Sequence, residues 1–273
     1  MFRISCIQMN SNDVLRDNMD KALDLSCDAI DYGSDLICFP ENVLLMPSSR
    51  ENLFSNSFIE NQNPCVQFFI NIAKKNNIWV LAGSISIKTN DDKLFNRSYL
   101  INNIGDIIGF YDKIHLFDVS IPDGSSYKES DKYLPGTDAR IFQTTLAKFG
   151  LTICYDIRFP SLYRDIAKNG ANVIFVPSAF TEFTGKLHWH VLLRARAIET
   201  GSYIVAPAQT GVHVGGRKTF GHSIVVAPDG SILNDAGTDE GIINCIIDIK
   251  TVDKYREQIP SLFLDPGYDI ELK

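Results

Sequence analysis

The stretch that decides the fold is Asp35–Glu41, DLICFPE, in which a short apolar run stops at a proline and is followed by a polar residue. The same form recurs at Asn172–Ser178, NVIFVPS, and at Tyr203–Ala208, YIVAPA. Short continuous apolar runs of this kind are typical of buried strands in α/β proteins. Because ligands of α/β folds bind beyond the carboxyl ends of strands, the residues after the three prolines either face one cleft or simply follow strands that end there.

Amphipathic helices separate these strands. Apolar residues recur near a 3.6-residue period in Asp13–Tyr32 and in Pro64–Asn76, and a long helix is predicted over Lys186–Thr200. The alternation of strands and helices, with no repeat and no proline- or serine-rich linker, predicts one α/β domain over residues 1–273 with helices outside mixed sheets. The polar stretch Asp118–Gly136 predicts a long loop, and loops of that length in compact domains are often functional.

The composition is that of an ordinary globular protein and excludes several classes of function. The 273 residues are 45% hydrophobic and 22% charged, and the net charge of −7 argues against a nucleic-acid partner. No apolar stretch approaches the ~20 residues that a membrane helix needs, and the N-terminus lacks the pattern of a signal peptide, so we expect a cytoplasmic protein. The six cysteines contain no C-x-x-C pair, which argues against a disulfide framework and a zinc site. They are Cys6, Cys27, Cys38, Cys65, Cys154 and Cys245.

One cysteine has an unusual position. Cys154 ends the predicted strand Leu151–Cys154, and a short segment then leads to a predicted helix over Phe159–Asn169. A sharp turn from strand to helix exposes a side chain near the N–H groups of the helix start, which favours a thiolate. Cys154 is therefore either a nucleophile or a small buried hydrophobic residue.

Two charged residues stand beside apolar runs. Glu41 follows a buried strand directly, and it is either an exposed loop residue or a general base held in a dry site with a raised pKa. Lys113 lies between the strand Ile107–Asp112 and the apolar segment after it. Its ammonium group either reaches back to solvent or points inward as a fixed positive charge.

Taken together, three motifs of this sequence resemble those of the nitrilase superfamily of carbon–nitrogen hydrolases, whose catalytic triad is Glu-Lys-Cys. The motifs are Phe39–Glu41, Tyr111–Leu116 and Cys154–Pro160. The order and spacing of the motifs fit, and no triad position is substituted. The resemblance implies a four-layer α-β-β-α sandwich with two mixed β-sheets, no metal or organic cofactor, and a homodimer or larger assembly.

The resemblance also implies a role for each residue of the site. Cys154 would attack an amide carbonyl and form a thioester, and Glu41 would carry the proton from the thiol to the leaving nitrogen. Lys113 and the backbone N–H of Tyr155 would stabilise the oxyanion. Glu129 matches a second glutamate of the family site and would position Lys113 and the substrate.

Three further segments resemble the deaminated-glutathione amidase branch more than the ω-amidase branch, which is the alternative. They are Pro177–Phe180, Arg194–Thr200 and Arg217–Ser223. An N-carbamoyl amidohydrolase and a binding or scaffold protein on the same fold remain open. Either amidase substrate carries carboxylates, so basic residues of the site are expected to attract them. The residues expected to bind substrate are Ser178, Ala179, Phe180, Arg158 and Arg194, with Lys186 as a further basic candidate. The three basic residues could equally form surface salt bridges.

Two other features carry no ligand prediction. His188 and His190 are two positions apart on a helix and point to different faces, so they do not form a metal-binding pair. The glycine-rich segment Gly211–Thr219 has no phosphate-loop pattern and is expected to be a mobile loop without a nucleotide.

Overall fold

The computed structural model describes residues 1–61, 63–122, 124–264 and 266–272. The strands in this part of the chain are β1 (Phe2–Gln8), β2 (Leu36–Cys38), β3 (Trp79–Leu81), β4 (Ile85–Lys88), β5 (Leu94–Ile101), β6 (Ile107–Asp112), β7 (Asp118–Ser120), β8 (Ser126–Lys128), β9 (Arg140–Gln143), β10 (Lys148–Leu151), β11 (Val173–Phe175), β12 (Tyr203–Ala206), β13 (Thr210–Val212), β14 (Lys218–Phe220), β15 (Ile224–Val226), β16 (Ile232–Asp235) and β17 (Gly241–Ile247). The α-helices are α1 (Leu15–Asp31), α2 (Arg50–Ser55), α3 (Pro64–Asn76), α4 (Pro160–Lys168), α5 (Glu182–Thr200) and α6 (Ile249–Gln258).

Most strands belong to two mixed sheets. The first has the order β17-β1-β2-β3-β5-β4, with β6 paired to β5. The second has the order β16-β15-β12-β11-β10-β9. Within each sheet the central pairs are parallel, β1 with β2 with β3 and β10 with β11 with β12, because helices α1, α3, α4 and α5 form the crossovers. The two hairpins β7–β8 and β13–β14 lie outside the sheets.

Side chains that alternate in direction along the strands pack into two hydrophobic cores between the layers. On β1 the side chains of Ile4 and Cys6 belong to a core shared with the second sheet, whereas Ile7 packs into the core under α1 and α3. The first core also takes Trp189 and Leu193 from α5, which covers the outer face of the second sheet. The order of layers is therefore helix, sheet, sheet, helix.

Local chemistry explains the helix ends that frame these layers. The Asn63 side chain accepts hydrogen bonds from the N–H groups of Cys65 and Val66, and Pro64 stands at the first helical position of α3. Helix α5 ends at Gly201, which has φ of +58° and thus the left-handed conformation that suits glycine. No helix in the described residues is long and apolar enough to cross a membrane.

The predicted loops contain more structure than expected. Asp118–Gly136 includes the hairpin β7–β8 and a 3₁₀ turn over Glu129–Asp131, and the ends of Gly211–Thr219 pair as the hairpin β13–β14. Helix α5 begins at Glu182, four residues before the predicted start. Helix α2 and strands β4 and β9 were not predicted either.

Candidate active site

The chain encloses a cavity of about 130 Å³ where the strand ends, the β7–β8 hairpin and the start of α5 meet. Its charged lining residues come from four separate parts of the chain, and five aromatic residues also contribute to its wall. The charged residues are Glu41, Lys113, Lys128, Glu129, Lys132 and Arg217. The aromatic residues are Phe117, Tyr127, Tyr133, Tyr155 and Phe180.

Cys154 lies on the wall of this cavity at the turn between strand and helix. Its φ of +47° is in the left-handed region, which costs a non-glycine residue about 1–3 kcal/mol and is typical of functional turns. Its backbone N–H donates to the carbonyl of Pro177 (3.0 Å), and its residue is only 7% exposed. The strained turn thus brings the thiol to the end of β11 without exposing it to bulk water.

A buried aspartate holds this turn. Asp156 accepts hydrogen bonds from the N–H of Ile153 (2.8 Å) and from the hydroxyl of Tyr111 (2.7 Å). It also accepts the N–H of His115 (3.0 Å), two residues after Lys113. Asp156 therefore fixes the thiol and the lysine segment relative to each other. This role of Asp156 was not predicted, because its only signal in the sequence is an acid in the first turn after Cys154.

Glu41 is buried and fully hydrogen-bonded. Its Oε1 accepts from Lys113 Nζ (2.9 Å) and Asn96 Nδ2 (2.9 Å), and its Oε2 accepts from the N–H of Ala179 (2.8 Å). Burial raises the pKa of Glu41, but the charge and hydrogen bond of Lys113 outweigh it, so the pKa lies below its usual value. The expectation of a raised pKa is therefore wrong, because Lys113 touches the carboxylate.

Lys113 lies between two carboxylates. Its Nζ donates to Glu41 and to both oxygens of Glu129 (3.2 and 2.9 Å), and the residue is 2% exposed. Burial lowers the pKa of Lys113, but Glu129 and Glu41 raise it well above its usual value. The lysine therefore points inward and stays charged.

Glu129 is itself anchored by the chain around Lys113. Its Oε2 accepts from the N–H of Phe117 (2.6 Å), and its Oε1 accepts from Asn96 Nδ2 (3.2 Å). Asn96 thus donates to both carboxylates that flank the lysine, a bridging position that the sequence analysis did not identify.

The thiol of Cys154 is held in its neutral form. Burial and the negative charge of Glu41 raise its pKa well above the usual value, and Lys113 offsets only part of this effect. The expectation that helix-start N–H groups favour a thiolate is therefore wrong for the resting site. A carboxylate within hydrogen-bonding range of the thiol can instead remove its proton.

The residues predicted to bind substrate separate into two groups. Ala179 and Phe180 line the cavity, as does Tyr155. Ser178 does not, because it is fully buried and its hydroxyl donates to the carbonyl of Val176.

None of the three predicted basic residues lines the cavity. Arg194 is exposed, and its Nε donates to the carbonyl of Gly230, because its face of α5 packs over the β15–β16 turn. Lys186 pairs with Glu182 one helical turn earlier on the surface. Arg158 contacts His188 and has its guanidinium 5.3 Å from the ring of Phe180, so it lies behind the cavity wall.

Three other cations take their place at the cavity. Arg217 lies just before β14, its Nη2 donates to the carbonyl of Ala179 (2.8 Å), and its guanidinium is 5.5 Å from the ring of Tyr127. Its buried Nε has no hydrogen-bond partner among the described residues. Lys128 ends β8, and Lys132 follows the 3₁₀ turn over Glu129–Asp131. A single arginine in a glycine-rich segment was the signal that could have indicated Arg217.

Similarity to known proteins agrees with this geometry. The family of carbon–nitrogen hydrolases matches residues 3–257. The deaminated glutathione amidase of Synechocystis sp. is 38% identical over 262 residues, covering 94% of this chain and 96% of that protein. Omega-amidase NIT2 of Mus musculus is 32% identical over 267 residues, covering 96% and 94%. The crystal structure of Saccharomyces cerevisiae Nit3, a member of branch 10 of the nitrilase superfamily, is 30% identical with a TM-score of 0.85, covering 95% and 94%.

Fold and similarity together define a hydrolytic enzyme that acts on amides, and they confirm the predicted α/β sandwich. The chain belongs to the carbon–nitrogen hydrolase family and is an amidase of the nitrilase superfamily.

Proposed function

We propose that this amidase uses Cys154 as its nucleophile and passes through a thioester. The observation that carries the proposal is that Cys154, Glu41 and Lys113 line one cavity, where Glu41 and Lys113 form a buried ion pair at 2.9 Å. Burying such a pair costs desolvation energy. A catalytic use accounts for that cost.

The first step forms the acyl-enzyme. Glu41 takes the proton of the thiol while Cys154 Sγ attacks the amide carbon, and the same carboxyl group then protonates the leaving nitrogen. Negative charge develops on the carbonyl oxygen, and in this mechanism Lys113 and the N–H of Tyr155, two residues that line the cavity, stabilise it. The amine leaves and the thioester remains.

The second step hydrolyses the thioester and regenerates the free enzyme. Glu41 takes a proton from water, the hydroxide oxygen attacks the thioester carbon, and the carboxylic acid leaves as the thiol recovers its proton. Glu129 contacts Lys113 through both carboxylate oxygens, so the ammonium group keeps a charged partner when the charge of Glu41 is neutralised in either step. Glu129 is thus a positioning residue in this mechanism.

For the substrate we propose deaminated glutathione, with α-ketoglutaramate as the second candidate because relatives of both amidase branches are similar to this chain. Both molecules carry a carboxylate on the acyl side. Arg217, Lys128 and Lys132 bring three positive charges to the cavity of a protein whose net charge is −7. The unpartnered Nε of Arg217 makes this residue the preferred contact for the carboxylate.

Release of α-ketoglutarate from the two substrates tests this proposal. We expect faster release from deaminated glutathione, with cysteinylglycine as the second product, than from α-ketoglutaramate, which yields ammonia. The reverse ranking would favour an ω-amidase. No release from either would reject both substrates and direct the search to N-carbamoyl compounds.

Replacing Arg217 by glutamine is expected to raise KM for the preferred substrate roughly 10- to 100-fold, because a charge-assisted hydrogen bond contributes about 1.5–3 kcal/mol. We expect a smaller effect on kcat, since the substituted group does not touch the reacting atoms. Steady-state kinetics measure both constants. Arg194→Gln is the matched control, and an equal rise in KM for that variant would contradict the assignment.

We further propose that the protein is a homodimer and acts in the cytoplasm, where its free thiols stay reduced. Helix α5 exposes an apolar stripe in which Phe183, Leu187 and Val191 follow one another at intervals of four residues, and Ile198 lies on the same face beyond the exposed Arg194. An exposed apolar stripe of this kind is typical of an interface.

The variant Val191→Asp is expected to convert the dimer to a monomer, because it places a charge in the centre of the stripe. Light scattering after size-exclusion chromatography should report about twice 30.6 kDa for the wild type and 30.6 kDa for the variant. Ile104→Asp changes an equally exposed apolar residue in the β5–β6 turn and should leave the dimer intact. A monomeric wild type would reject the proposal.

A further inference from the structure

Three potential metal ligands lie together outside the cavity, and each comes from a different element. His190 stands on α5, His222 follows β14, and Asp235 ends β16. His190 Nε2 is 2.8 Å from Asp235 Oδ2, and His222 Nδ1 is 2.9 Å from Asp235 Oδ1. One atom from each residue lies within 4.8 Å of the others.

The donor set matches the ligand preferences of zinc and its neighbours. Zinc binds imidazole nitrogen and carboxylate oxygen at about 2.0–2.2 Å, so its ligands lie about 3.4 Å from one another in a tetrahedron. Each imidazole already lies closer than that to one oxygen of Asp235, although the two oxygens differ, and one ligand atom from each residue lies within 4.8 Å of the others. An ion would replace the protons that the two imidazoles share with Asp235.

Neighbouring groups hold the three side chains in place. The ring of Phe220 stacks on His222 at 4.3 Å and meets His190 edge-on at 5.9 Å. The N–H of Gly237 donates to Asp235 Oδ1 (2.9 Å), and Trp189 Nε1 donates to the carbonyl of His222 (2.9 Å). Preorganised ligands of this kind lose little conformational entropy when an ion binds.

The cluster is also open on one side. The side chains of His190, Asp235 and His222 are 32%, 27% and 24% exposed, so an ion has an entry path and water can complete its coordination. His222 has φ of +55°, a left-handed conformation in which a non-glycine residue is strained. Backbone strain of this kind is concentrated at functional sites.

We propose that His190, His222 and Asp235 bind a divalent transition-metal ion of the zinc type. The ion would join α5 to β16 and to the segment after β14, and it has no part in amide hydrolysis. From the sequence, only the pair His188 and His190 was considered as metal ligands, and it was rejected. In the structure these two side chains have different neighbours, because His188 contacts Arg158. The ligands that complete the site come from more than 30 residues further along the chain.

Calorimetric titration of the metal-stripped protein with Zn²⁺ tests the proposal. We expect one ion per chain in the wild type and at least tenfold weaker binding in His190→Gln and in Asp235→Asn. Glutamine at position 190 keeps a donor for the carboxylate, so this variant should fold. Saturation with Zn²⁺ should also raise the Tm of the wild type by roughly 5 °C, and this rise should be absent in both variants.

His188→Gln is the control, because it removes an imidazole from the same helix and should leave zinc binding unchanged. Binding of equal strength in the wild type and in all three variants would overturn the proposal and would indicate a site elsewhere, such as the thiol of Cys154. Absence of binding in the wild type would overturn it as well.

Discussion

The variant Cys154→Ala is expected to lose amide hydrolysis by a factor of roughly 10⁴ or more while remaining folded. Without the thiol no thioester forms, and the remaining charges can only assist direct attack by water. The substitution removes one sulfur atom at a cavity wall, so packing changes little. Product release at saturating substrate measures the loss, and thermal unfolding checks the fold.

Cys27→Ala is the control for this variant, because Cys27 is an exposed thiol on the outer helix α1. We expect it to retain full activity. If Cys154→Ala kept a rate near that of the wild type, the covalent mechanism would be excluded even though the fold and the family are unchanged.

The variant Glu41→Gln is expected to separate proton transfer from the reactivity of the thiol. Turnover should fall by about 10²–10⁴, because a general base contributes that much. The pKa of Cys154 should fall at the same time, since Glu41 raises it and Lys113 lowers it, and only Lys113 keeps its charge in the variant. A purely structural role for Glu41 does not predict a loss of turnover together with a thiol that ionises more readily.

Alkylation of Cys154 by iodoacetamide as a function of pH measures the second effect. The alkylation rate depends on the fraction of Cys154 present as thiolate. Because the pKa of the thiol is raised in the wild type, labelling at neutral pH should be slow and should become faster as the pH rises. In Glu41→Gln the same rate should be reached at lower pH. Lys113→Met should shift the profile the other way. A profile that does not move in either variant would contradict the proposed charge balance.

The sequence predicts the layers of this fold well because buried strands and amphipathic helices carry strong periodic patterns. Helix α5 shows where that reasoning fails, since its first turn contains Gly185, which lowers helix propensity. The structure requires this glycine because a Cβ there would lie 2.4 Å from the side chain of Phe220. The short hairpins were missed because β7, β8, β13 and β14 have three residues each and carry few apolar side chains.

The residues of the candidate site could be predicted from the sequence more fully than the pKa shifts of those residues. The motif words identify Glu41, Lys113 and Cys154, and the structure brings these three together with Glu129. The direction of the pKa shifts of Glu41 and Cys154 depends on contacts between residues more than 70 positions apart, which no local pattern contains. The basic residues of the cavity were predicted wrongly for the same reason. Helix periodicity does not show that Arg194 contacts Gly230, and the sequence of a loop does not show that Arg217 contacts Ala179.

The central claim is that an acyl group is transferred to Cys154, and acid quenching of the wild type during turnover tests it most directly. Mass spectrometry of the quenched protein should find one added acyl group, equal to the substrate minus its amine, on the peptide that contains Cys154. The adduct should disappear when substrate is exhausted and should never form in Cys154→Ala. An acyl group on another residue, or full turnover with the Cys154 peptide unmodified at every quench time, would contradict the mechanism.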